Sequence, residues 1–415
     1  MQFMRIPGLI DPHVHLRDPE ETQKEDFTTG TRAALAGGYT TLIDMPNNKT
    51  PVTTRERLEK KRTLAKEKIV CDVGFHFGSL GDNIDEFAKL QLSNILRANV
   101  ESREVKDENS SRLRSNNNYL VMGLKLYLNK TTGNYLLGKS HLPKIFASWP
   151  SEIPILVHAI DETFDDVLEV VKQTPRKIHL CHVSTKYELS RVIEAKERGL
   201  PISCGVTPHH LFLSEEDTKH LGPFGAMKPP LRPRTDVDFL WKNIQAIDLI
   251  ESDHAPHTIE EKQGVTRAEG LPATRRSLKL ASPRSSIDGK EPATGPREVF
   301  NVPFGVPGLE TTLPLLFTAV SENKLTIGDV IRLCHEGPAK VFNIKTANDT
   351  YTEVDTKANY EIKNKNLFTK SKWSPFNGWR VHGKIQRVFL RGKKVFEDGK
   401  VLASPGSGKL VTYSS

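Results

Sequence analysis

Residues 11–17 read Asp-Pro-His-Val-His-Leu-Arg and follow the short apolar run Pro7-Gly-Leu-Ile10. The run has the length of a strand, and the strand ends in His13 and His15, with Arg17 two residues further on. Side chains two apart on a strand leave the same face, so the two imidazoles can grip one metal. Parallel α/β barrels build their active sites at the C-terminal ends of their strands. An isolated His-x-His is weak evidence of this, and the rest of the chain has to supply the other strands.

Seven further strands are predicted at Tyr39–Met45, Val70–Phe77, Val121–Tyr127, Ile153–Ala159, Lys177–Val183, Pro201–Val206 and Ala246–Ser252. Helical patterns lie between them, at Glu25–Leu35, Arg55–Glu67, Ile84–Leu96, Glu162–Val171, Glu188–Glu197 and Val237–Asn243. Strands alternating with helices mean βαβ units and a parallel sheet. Eight units in about 250 residues predict an α/β chain folded as a TIM (β/α)8 barrel. The fourth strand then ends in Lys125, the fifth in His158, the sixth in His182, and the eighth leads into Asp253. Ligand-type side chains at so many strand ends make a metal centre the expectation.

Two stretches break the rhythm. Residues 97–118 are polar and aperiodic, and residues 264–301 are rich in Pro, Arg, Ser and Gly; both read as flexible insertions. Beyond about residue 340 the pattern changes to short alternating stretches, Thr352–Val354, Gln386–Leu390 and Lys394–Phe396, with turns at Arg391-Gly392 and Asp398-Gly399. The expected division is a barrel over 1–340 and a small β appendage over 341–415.

Composition excludes several classes. No apolar run nears the roughly 20 residues that span a bilayer, so no membrane partner is expected. The N-terminus lacks the features of a signal peptide, and Cys71, Cys181, Cys204 and Cys334 form no CxxC pair, which predicts a reduced, cytoplasmic protein. The net charge is +8 with a pI near 9.1, yet the basic residues are spread out and no aromatic stripe accompanies them, so no nucleic-acid partner is expected.

Lys125 stands out among the ligand-type residues. A lysine at a strand end can snorkel or pair with an acid, or it can react with CO₂ to give an anionic carbamate whose two oxygens bridge two metals. A hydroxide bridging two divalent cations is nucleophilic near neutral pH. Asp253 can accept its proton and return it to a leaving nitrogen. The chemistry suited to such a site is hydrolysis, or its reverse, at an amide-like carbon.

The strings DPHVHLRDP, DMPNN, GLKLYLN, LVHA, HLCHVS, PHHLFL, SDHAPHT, PGLET and WSPFNG resemble, in order and spacing, the dihydroorotase domain of the animal multifunctional pyrimidine-synthesis protein, a member of the amidohydrolase superfamily. The resemblance runs from about residue 5 to residue 410, interrupted by the two insertions. It implies a distorted barrel of the amidohydrolase type and reversible cyclisation of N-carbamoyl-L-aspartate to L-dihydroorotate in pyrimidine synthesis. It also implies two zinc ions, one on His13, His15, Lys125 and Asp253 and the other on Lys125, His158 and His182, with Lys125 carboxylated. By the same resemblance Arg17 holds the substrate carboxylate, and Asn47, His257, Pro307 and Gly308 contact the substrate. Thr131 belongs to a mobile catalytic loop. A homodimer, and association with other pyrimidine-pathway enzymes, are implied as well.

The chain departs from that pattern at Thr132, where animal relatives carry an aromatic residue, and at Lys228, where relatives carry Arg or Asn but where a lysine can still serve an anion as a point charge. It departs again at Gly205, where animal relatives carry an acid. Two rival readings are a related cyclic-amide hydrolase (a dihydropyrimidinase or allantoinase) and a non-catalytic scaffold of the kind that has lost its metal ligands. Here every ligand position is filled.

Overall fold

The computed structural model describes residues 3–91, 118–131, 135–266, 274–275 and 302–414. The two expected insertions lie almost entirely outside these residues.

All eight expected barrel strands are present: Leu9–Val14, Tyr39–Asp44, Asp72–Gly78, Gly123–Tyr127, Ile155–His158, Ile178–Leu180, Ile202–Val206 and Leu249–Ile250. They form one parallel sheet in sequence order. Helices cover its outer face, so the strands are buried on both sides and read as continuous apolar runs. The seam between the last and first strands closes late. Val14 bridges His254, and the His15 N–H donates to the His254 carbonyl at 2.8 Å. The barrel is therefore sealed at its C-terminal rim, among the candidate ligands.

Local signals explain the element boundaries. The first helix begins at Phe27 rather than Glu25, because Asp26 caps it and accepts from the Thr29 N–H in a reciprocal capping box. Thr185 and Glu188 do the same for the helix Lys186–Glu197. The helix expected from Ile84 is a 3₁₀ turn, Ile84–Leu90, whose buried residues Phe87 and Leu90 lie three apart. That spacing suits three residues per turn. The rest of that expected helix, beyond Gln91, falls outside the described residues.

The appendage is a five-stranded antiparallel sheet of Met4–Pro7, Tyr351–Glu361, Arg380–Leu390, Lys393–Glu397 and Lys400–Val401, in that order. Two-residue turns join the last three strands, with Arg391, Gly392, Asp398 and Gly399 all at positive φ, the conformation that suits tight hairpins. The first strand departs from the expected division at residue 340. Met4–Pro7 pairs with Tyr351–Val354 instead of with the barrel, and Arg5 reaches Glu353 at 3.3 Å. A second apolar core, which includes Met227, Val306, Leu315, Trp373 and Phe376, joins the appendage to the barrel rim.

Candidate active site

The site is built from strand ends. His13 is the penultimate residue of the first barrel strand and His15 follows its end, and both are buried. The His13 Nδ1–H donates to the Glu251 carboxylate at 3.1 Å, and the His15 Nδ1–H donates to Asn47 Oδ1 at 2.7 Å. A carboxylate only accepts, so the His13 proton sits on Nδ1 and leaves Nε2 bare. His15 is held the same way. The two bare nitrogens then face Asp253, whose Oδ1 lies 3.0 Å from His15 Nε2 and 3.5 Å from His13 Nε2.

Three groups with lone pairs thus converge in a buried space, their ligand atoms within 4.8 Å of one another. Such an arrangement repels itself unless a cation lies between them, and this donor set of two imidazoles and a carboxylate suits a divalent metal. Burial lowers His15 to about 4, so the imidazole is neutral near pH 7. Burial by itself would raise Asp253. In acid, where such a carboxyl would titrate, the positive charge then carried by the adjacent His13 and His15 outweighs it and holds the carboxyl well below the usual carboxylate range.

A second pair lies alongside. His158, at the end of the fifth strand, and His182, just after the sixth, contact each other at 3.0 Å between Nδ1 and Nε2. The outer nitrogens, His158 Nε2 and His182 Nδ1, are buried with no protein partner. Burial, reinforced by the Lys125 charge, lowers His158 to about 3; burial and the adjacent His158 hold His182 well below the ordinary imidazole range. Two neutral imidazoles with unspent buried nitrogens also fit a metal. Lys125 stands beside them, buried, with Nζ 3.0 Å from Cys181 Sγ and 4.9 Å from the Tyr127 ring. A hydrogen bond to a thiol, a weak acceptor, compensates a buried ammonium poorly.

Arg17 lies beyond this cluster, buried, with Nε donating to the Pro256 carbonyl at 3.3 Å and Nη2 3.1 Å from His257 Nε2. Lys228, half-buried, sits with Nζ 4.6 Å from the Phe304 ring centroid, and its charge acts on His158. Three site residues, Arg17, His182 and Asp253, adopt positive φ, which is uncommon for residues other than glycine and concentrates at functional sites.

Other expected contacts are already engaged. Asn47 spends its side-chain oxygen on His15. The Gly308 N–H donates to His254 Nδ1 at 3.2 Å, and the Gly308 carbonyl accepts from Thr311 and Thr312. Pro307 is buried next to it. Thr131 is half-buried at the end of a described stretch, and Thr132 lies outside the described residues.

Sequence reading missed Glu251, Cys181 and His254. Glu251 stands two residues before Asp253, the same spacing as His13 and His15, and that parity was the available signal. Cys181 completes a second group with His13 and Glu251 whose ligand atoms lie within 4.8 Å of one another. His254 links Glu25, 3.3 Å from its Nε2, to the Gly308 turn.

A parallel barrel with histidines, a lysine and an aspartate at its C-terminal rim is the architecture of an amidohydrolase. The comparisons agree. The profile of the amidohydrolase family matches residues 4–219. The chain is 38% identical over 410 residues to the multifunctional protein CAD of Squalus acanthias, covering 98% of this chain and 16% of that protein. It is 31% identical over 415 residues to the dihydroorotase of Pyrococcus furiosus, covering 98% of this chain and 84% of the relative. Among solved structures, the L-hydantoinase (dihydropyrimidinase) of Arthrobacter aurescens superposes with a TM-score of 0.80 at 22% identity, over 99% of this chain and 89% of that one. That likeness carries the fold. The chain belongs to the amidohydrolase family and, within it, groups with the dihydroorotases.

Proposed function

We propose that this chain catalyses the reversible cyclisation of N-carbamoyl-L-aspartate to L-dihydroorotate. One observation carries the choice of substrate. Arg17, buried in the barrel mouth two residues from His15, presents a guanidinium that matches a carboxylate on the ring. A related hydrolase of uncharged cyclic amides has no use for it.

We infer that two zinc ions are held, one by His13, His15 and Asp253, the other by His158 and His182, with a carboxylated Lys125 between them. Such cations supply Lewis acidity and a nucleophilic water near neutral pH. The chain's own residues do the rest. Asn47 orients His15, and Arg17 and Lys228 draw the anionic substrate into the mouth. In hydrolysis the oxygen of water bonds to the ring carbonyl carbon, the ring C–N bond breaks, and Asp253 carries the water proton to the leaving nitrogen. Cyclisation reverses each transfer. We assign substrate contact to His257, Pro307 and Gly308, and to Thr131 a hydroxyl from the loop after the fourth strand.

In the cell we propose a cytoplasmic homodimer, working beside other enzymes of pyrimidine synthesis as the shark relative's multifunctional organisation suggests. No helix among the described residues is long and apolar enough to cross a membrane.

Turnover of dihydroorotate, dihydrouracil and allantoin by the zinc-loaded chain tests the assignment. Activity on dihydroorotate alone is expected. Activity on dihydrouracil with none on dihydroorotate overturns it, and a chain that neither purifies with zinc nor accepts it is a scaffold.

A further inference from the structure

Glu251 is fully buried two residues before Asp253, and its ligand atoms lie close to those of His13 and Cys181. Its Oε2 accepts from the His13 Nδ1–H at 3.1 Å and lies 3.4 Å from His179 Nε2. Its other oxygen, Oε1, accepts from the His182 main-chain N–H. One carboxylate therefore ties together the ends of the first, sixth and eighth strands. We propose that Glu251 is the positioning residue of this centre: it fixes the tautomer and the direction of His13, so that Nε2 faces Asp253, and it pins the left-handed turn that carries His182. The inference rests on the metal-dependent reading above and names what holds that site in shape.

Three features support it. First, an acceptor-only partner on Nδ1 leaves Nε2 as the sole ligand atom of His13, and outer carboxylates of this kind set both ring orientation and ligand basicity. Second, His182 has φ of 39°, a conformation that a histidine leaves readily unless its backbone is held, and the N–H held there is the one donated to Glu251. Third, the neighbouring strand makes room. A Cβ on Gly205 would lie 2.7 Å from Glu251 Cδ and 2.8 Å from Oε1, so any side chain at 205 would displace the carboxylate. The bare backbone at Gly205 is the space that Glu251 fills.

The test is Glu251→Gln in the full chain. Glutamine keeps an oxygen for the His182 N–H, but its shape and neutrality weaken the hold on His13. Zinc affinity, measured by competition with a chelator, is expected to fall roughly 10- to 100-fold. The visible spectrum of the cobalt-substituted protein is expected to change, and kcat to fall with KM for dihydroorotate unchanged. A folded variant with wild-type zinc affinity and the wild-type cobalt spectrum overturns the proposal. Should the variant not fold, nitrogen-15 NMR of the metal-free wild type decides. A strongly downfield His13 proton on Nδ1, retained when zinc binds, supports the proposal, and a His13 proton on Nε2 overturns it. A wild type that binds no zinc counts against the proposed function, whereas the His13 tautomer still tests this inference.

Discussion

Arg17 and His257 meet across the mouth of the barrel, with Nη2 3.1 Å from Nε2, while the same imidazole nitrogen lies 2.9 Å from the Phe304 carbonyl. That nitrogen cannot serve both neighbours. It accepts from the guanidinium, which always donates, or it donates to the carbonyl, which always accepts. A substrate carboxylate that takes over the guanidinium resolves the conflict, because His257 is then free to donate to Phe304. Binding the substrate and settling the loop around Phe304 become one event.

Arg17→Lys follows directly. A lysine offers a point charge in place of a fork and surrenders at least one charge-assisted hydrogen bond, about 1.5–3 kcal/mol. KM for dihydroorotate and for carbamoyl aspartate should both rise, by roughly 10- to 100-fold. Steady-state kinetics in the two directions check it; wild-type KM values remove Arg17 from the substrate site.

On the proposed carbamate bridge, Lys125→Ala should abolish activity and at least halve the bound zinc. Added acetate or propionate should restore part of the activity by standing in for the carbamate. Elemental analysis is the measurement, and full zinc content in the variant would show that Lys125 does not bridge.

The buried histidines set an acid limit. Burial lowers His15 and His209 to about 4, and His76 and His158 to about 3. In the unfolded chain histidine titrates near 6.5, so between these values the unfolded state binds more protons than the fold. Their contribution is full above about pH 6.5 and is lost as the pH falls towards 4 and below. Asp11 and Glu310, raised by burial to about 7, oppose this and weaken the fold as the pH rises from about 4 to 7. Four histidines outnumber two carboxyls, so the Tm of the metal-free protein should be lower at about pH 5 than at about pH 7.5. Calorimetry that shows no drop would contradict the neutral-imidazole site.

The appendage reaches the active site through Trp373, whose Nε1–H donates to the His257 carbonyl at 2.7 Å. Trp373→Phe keeps the apolar packing and removes that bond, at a cost of about 1 kcal/mol. KM for dihydroorotate should rise up to roughly fivefold with kcat little changed. Unchanged kinetics would mean that the appendage does not steady His257.

The barrel was legible because each strand is a short apolar run ending in a functional residue, and both properties are local. All eight strands lie where periodicity placed them, to within two or three residues. The errors are those of partnership. Nothing near Met4–Pro7 says that its pairing partner is Tyr351–Val354. The first helix begins at Phe27, capped by Asp26, and Glu25 turns instead to His254, Thr369 and Lys370, residues remote in sequence. Glu251 was passed over for the same reason, since its role exists only once three strands are side by side. His15 and Asp253 lie 3.0 Å apart with Arg17 beyond them, and the bonds that occupy Asn47 and Gly308 belong to tertiary structure alone.

The pairing of Met4–Pro7 with Tyr351–Val354 has a bearing on how the chain is made. Five residues lie between Pro7 and His13, so a short segment joins the candidate metal centre to a sheet that cannot close until residue 354 has been synthesised. Closing so long a loop is a late step. Met4–Pro7 waits unpaired until Tyr351–Val354 is made, while Leu9–Val14, which carries His13, has its barrel partner Tyr39–Asp44 close behind it in sequence. A lesion in Tyr351–Val354 leaves Met4–Pro7 as an unpaired edge next to the first barrel strand.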